Sequence, residues 1–315
     1  MTEVRPDLSV EIAGLSLASP LIAASGTFGY GTEYLDVVDY SAIGAIAVKG
    51  LYLNPRPGCP PPRIWETPSG MLNAIGLQEI GVTRFIEEKL PGLRDLGPAI
   101  LVNICGSTVE EYGELARVLS DVEGVAGLEI NISCPNVNEG GILFGCDPDL
   151  AARVTELVRS NTSLPVIPKL SPNVTDIAAI ARRVESAGAD ALSLINTIPA
   201  MAIDVETRRP RLANVVGGLS GPAIRPIAVR LVYQTAQAVK IPVIGIGGIA
   251  TAQDALEFII AGARAVQIGT MNFVDPSVWS RTRAGLEDYC GRHGLASIAE
   301  LSGSLHVEGV VPSGW

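Results

Sequence analysis

Short apolar runs rich in β-branched residues recur along the chain, each giving way to small or polar residues. They are PLIAASG from Pro20, AIAVKG from Ala45, AILVNIC from Ala99, GLEINIS from Gly127, PVIPKLS from Pro165, ALSLINT from Ala191, PVIGIGG from Pro242 and AVQIGT from Ala265. Runs of this length without polar alternation suit strands covered on both faces, as in a parallel sheet. Between them lie segments of helical period with legible starts. Ser107 with Glu110 reads as a capping box ahead of EYGELARVL, Asp147-Pro148 as a cap and first turn, and Thr251 with Asp254 opens DALEFIIAG. Strands alternating with helices imply parallel pairing, and eight strands are what a closed barrel needs. An open doubly wound sheet uses the same units but carries its Gly-rich loop after the first strand, whereas GIGG here follows the seventh. The pattern therefore predicts an α/β fold, a single (β/α)8 TIM barrel over residues 1–315 with neither linker nor internal repeat.

Two intervals are too long for one helix. Residues 51–80, after strand two, hold NPRPGCPPPRIWETPSGMLNAIGLQ, whose prolines block a helix. Residues 198–222, after strand six, hold Arg208, Arg209, Arg211 and the pair Gly217-Gly218. Both insertions follow strand C-termini, the face on which barrels place their chemistry, so both should wall in a substrate. The N-terminal LSVEIAGLSLAS alternates around a Gly turn and predicts a β-hairpin closing the opposite end.

Composition narrows the function classes. With 47% hydrophobic and 18% charged residues in 315, the chain can bury a full core, which excludes disorder. A net charge of −10 repels phosphate backbones and anionic membranes, so no nucleic-acid or membrane partner is expected. Five cysteines without a CxxC, and two histidines confined to His293 and His306, predict neither a disulfide framework nor a metal centre and fit a reducing cytoplasm. The uncharged stretch from Ile12 to Thr32 is interrupted by Gly and Pro too often for a membrane span.

The candidate chemistry sits at strand ends. Gly247-Gly248 before Thr251, and Gly269-Thr270 after strand eight, occupy the two loops from which barrels build a phosphate cradle. Lys49, Asn103, Asn131, Lys169 and Asn196 end strands two to six and should converge on one cavity, because each would be costly to bury unpaired. The ligand they suit is planar, polar and partly anionic. Cys134, just past strand four and stiffened by Pro135, could act as base or nucleophile, with no histidine near it for a hydrolytic dyad. Cys59, Cys105, Cys146 and Cys290 read as buried apolar side chains. These features alone leave open an isomerase or aldolase with Lys169 as Schiff base, and a non-catalytic nucleotide-binding scaffold.

NISCPNV around Cys134, the long motif of the first insertion and GGLSGPAIRP from Gly217 resemble the class 1B dihydroorotate dehydrogenases, catalytic subunits that use FMN; the resemblance runs from Ser25-Gly26 to Gly269-Thr270. It implies oxidation of dihydroorotate to orotate in pyrimidine biosynthesis. FMN would lie against Ser25, Lys49, Gly50, Asn103, Asn131, Lys169, Ile195, Gly221, Gly247, Gly248, Gly269 and Thr270. The substrate would lie against Lys49, Asn73, Ala74, Ile75, Gly76, Leu77, Asn131, Asn196 and Thr197, with Cys134 as general base. The resemblance further implies a homodimer joined by a partner subunit carrying FAD and a [2Fe–2S] cluster, a heterotetramer that passes electrons to NAD. The alternatives it leaves are a fumarate-linked class 1A enzyme or another FMN barrel. Glu79 and Asn138 depart from the family's usual Asn and Lys.

Overall fold

In the computed structural model, residues 5–132 and 145–307 are described. The apolar runs pair edge to edge as β1 (Leu21–Ala23), β2 (Ala45–Ala47), β3 (Ala99–Ile104), β4 (Gly127–Asn131), β5 (Val166–Leu170), β6 (Leu192–Leu194), β7 (Val243–Ile246) and β8 (Ala265–Ile268). Each is parallel to the next and β8 returns to β1, so the sheet closes and leaves no edge. Closure explains the unbroken hydrophobicity: one face of each strand fills the barrel and the other lies under helices. Every residue of β4, β5, β7 and β8 is buried.

The outer ring comprises α1 (Val109–Leu119), α2 (Pro148–Ser160), α3 (Ile177–Ser186), α4 (Arg225–Ala236), α5 (Ala252–Ile260) and α6 (Val278–His293). The Asp147 carboxylate accepts the N–H groups of Asp149 and Leu150 at the start of α2, and Thr251 with Asp254 forms the capping box of α5. At α1 the cap lies one residue beyond the sequence reading. Thr108 is the cap, accepting the Glu111 N–H at 3.3 Å, while Glu111 accepts the Ser107 N–H. Adjacent Glu110 and Glu111 both satisfy the spacing, and packing decides between them: this frame turns Tyr112, Leu115, Ala116 and Leu119 onto the barrel.

The hairpin Val10–Ile12 with Leu15–Leu17 buries Val10, Ile12 and Leu17 at the N-terminal end of the strands. The chain just after it approaches so closely that a Cβ on Gly44, just before β2, would lie 2.0 Å from the Ser19 carbonyl oxygen. At the other end the insertions do more than form two separate walls. Ile198–Ala200, Gly217–Ser220, Gly70–Asn73 and Ile64–Thr67 pair in that order as one antiparallel sheet, each insertion giving two strands. Among the described residues, no helix is long and apolar enough to cross a membrane.

Candidate active site

Parallel strands ending together leave a ring of loops at their C-terminal ends, and the insertion sheet covers one side of it. The result is a cavity of about 570 Å³, within the range of small-molecule and cofactor sites. Every residue assigned to a ligand from the sequence lines it, from Ser25 and Lys49 to Gly269 and Thr270. Cys134 and Asn138 lie outside the described residues.

One end of the cavity is built from backbone. Gly248 has φ +75°, and a Cβ there would lie 2.7 Å from the Gly221 carbonyl oxygen, so the two loops meet only because the side chain is absent. Among the described residues, the backbone N–H groups of Gly248, Gly269 and Thr270 have no protein acceptor. Open amide groups converging at a cavity wall suit an anion such as a phosphate. The first turn of α5 does not supply this site, because Asp254 already accepts the N–H groups of Ala250 and Thr251 at 2.9 Å.

The other end is built from side chains at strand ends. Asn131 Nδ2 donates to Asn103 Oδ1 at 3.5 Å, and Asn196 Nδ2 donates to Asn131 Oδ1 at 3.4 Å. Lys169 Nζ donates to Ser25 Oγ at 3.3 Å. Burial, aided by the Arg63 guanidinium, holds the Lys49 ammonium below the usual lysine range, against the opposite pull of Cys105 and Glu79. The wall facing these groups is the 73–77 segment, anchored where Asn73 pairs with Gly218 across the insertion sheet.

The sequence reading missed the group beneath this ring. Glu129, within β4, is wholly buried and lies 3.8 Å from Lys169 Nζ. It also accepts from Asn103, Ser193 and Gln267. Burial disfavours its charge, yet Lys169 and these hydrogen bonds hold its carboxyl below the usual range. In sequence Glu129 is a lone charge within the apolar run GLEINIS, which marks the position but not the partners that give it meaning.

The cysteines divide differently from the sequence expectation. Cys105 and Cys290 are buried, but Cys59 is half-buried and Cys146 is exposed. Cys146 precedes the cap of α2 at the cavity wall, and its thiol reaches the Asn173 carbonyl at 3.5 Å rather than a core.

The arrangement offers an anion site, a buried cation and a row of amides able both to donate and to accept, which together suit a phosphorylated planar group beside a small polar ring. The family model described as dihydroorotate dehydrogenase matches residues 7–289. A relative from Geotalea daltonii, named dihydroorotate dehydrogenase B (NAD(+)), catalytic subunit, is 59% identical over 303 residues, covering 96% of this chain and 99% of its own. Proteins of the same name from Geotalea uraniireducens and Geobacter sulfurreducens are 59% and 58% identical, each again covering 96% of this chain and 99% of its own. By that match and this site, the chain belongs to the dihydroorotate dehydrogenase family.

Proposed function

We propose that this chain, acting as one FMN-binding unit, oxidises dihydroorotate to orotate as the catalytic subunit of an NAD-linked enzyme of pyrimidine biosynthesis. The observation that carries the reading is the two-ended cavity, with open backbone amides at one end and Lys169 with the asparagine row at the other, in a chain 59% identical to catalytic subunits of that name. These residues fit FMN. Gly248, Gly269 and Thr270 offer N–H groups to its phosphate, while Ser25, Asn103 and Lys169 lie where polar ring edges would be held.

When bound, FMN supplies the acceptor for the hydride that leaves C6 of the substrate. The chain's own residues do the rest. Lys49 pairs with the substrate carboxylate, and Asn73, Asn131 and Asn196 meet ring N–H and C=O groups with donors and acceptors of matching sense. The 73–77 segment and the insertion sheet exclude water. Cys134, which follows β4 closely in sequence, takes the proton from C5; a thiol is a sufficient base there because that proton is α to a carbonyl.

Electrons then leave through a separate subunit holding FAD and a [2Fe–2S] cluster, assembled on a homodimer of this chain in the cytoplasm. The relatives' name, catalytic subunit, supports such a division of labour. The test is product formation: the FMN-loaded chain alone should convert dihydroorotate to orotate with a dye acceptor, and should form NADH only once the second subunit is added. Absence of orotate would overturn the activity, and NADH without the second subunit would overturn the division.

A further inference from the structure

We propose that Glu129 is a positioning residue: one buried carboxylate beneath the cavity sets the donor–acceptor sense of the Asn103–Asn131–Asn196 row and holds Lys169 at the cavity floor. The inference rests on the function proposed above and adds to it the group that orients the site.

Glu129 has no exposed surface. Its Oε1 accepts from Ser193 Oγ at 2.9 Å and Gln267 Nε2 at 2.7 Å. Its Oε2 accepts from Asn103 Nδ2 at 2.6 Å and faces Lys169 Nζ at 3.8 Å. An ionised carboxylate has about four acceptor positions and no donor. Donors from β3, β5, β6 and β8 therefore meet a group that can only accept.

The consequence runs outward from there. Asn103 commits its amide nitrogen to Glu129, so its oxygen is left to accept from Asn131 Nδ2 at 3.5 Å. Asn131 Oδ1 in turn accepts from Asn196 Nδ2 at 3.4 Å, and Asn196 Oδ1 accepts the Thr197 backbone N–H at 2.8 Å. The middle contacts are long and weakly directional. The ends are short, and each end has a fixed role, an anion that only accepts and a backbone N–H that only donates. Reversing any one amide would set donor against donor. The same anion offsets the Lys169 charge, which makes it a lever on any electron-accepting group bound above.

The test is Glu129→Gln, which keeps the shape and removes the charge. Two readouts would not move if Glu129 merely filled space. The midpoint potential of the bound flavin should shift positive by at least about 30 mV, the two-electron equivalent of tenfold. KM for dihydroorotate, measured on FMN-saturated enzyme, should rise at least tenfold. A wild-type value of either would overturn the proposal. If E129Q does not fold, the pairing requires that E129Q/K169M, which removes both charges, does fold; equal failure of the two would overturn it. A wild-type chain that holds no FMN or makes no orotate would instead overturn the function on which this rests.

Discussion

Lys49 and Glu79 are both pushed toward neutrality, with opposite consequences. Burial lowers the Lys49 value, so its charge is lost at a lower pH than that of a free lysine. KM for the anionic substrate should therefore climb through the alkaline range, beginning below the ordinary lysine value of about 10.4; a flat KM to pH 10 would remove Lys49 from carboxylate binding. Glu79 is 5% exposed, with Oε2 accepting the Gly81 N–H at 2.5 Å. Burial raises its carboxyl above the usual range. Its folded value thus exceeds its unfolded one, so the cost of its charge is absent below the unfolded value, about 4.3, and fully present above the folded one. Glu79→Gln should raise Tm at neutral pH by about 2 °C and leave it unchanged at pH 4. A Tm that falls at neutral pH would show that the charge stabilises the fold. At the proposed base, Cys134→Ala should retain FMN and slow its reduction by dihydroorotate by roughly 10² to 10⁴; a rate near wild type would exclude the thiol.

At the scale of elements, the insertion sheet couples the two long intervals to the cavity. Gly70 pairs with Thr67 in the hairpin of the first insertion, and a Cβ there would lie 2.3 Å from the Ser220 carbonyl oxygen of the second. Gly70→Ala should pry these strands apart, raising KM severalfold with little change in Tm, because the barrel core is untouched. Unchanged KM would show that the sheet does not shape the site.

What the sequence could show follows from the same geometry. Lys49, Asn103, Asn131, Lys169 and Asn196 were legible because a polar residue ending an apolar strand is out of place anywhere but at a site. Glu129, Ser193 and Gln267 were not, since they sit within strands and gain meaning only when β4, β6 and β8 close to bring them together. The joint sheet was hidden for a similar reason: its strands are four residues or fewer, and the pairing that joins the two insertions, Gly70–Asn73 with Gly217–Ser220, spans more than a hundred positions of chain. The α1 cap slipped by one because local spacing fits two frames and only the buried face selects one.

For the whole molecule, closure of the barrel turns eight strand ends into one ring, and the two ends of the cavity divide the labour between backbone and side chains. In the proposed function, this ring brings an electron acceptor and dihydroorotate together. Stopped-flow mixing of the FMN-loaded chain with dihydroorotate under anaerobic conditions tests it most directly. Flavin absorption should be lost rapidly with one orotate formed per flavin bleached, whereas flavin that stays fully coloured with excess dihydroorotate would refute the proposed function.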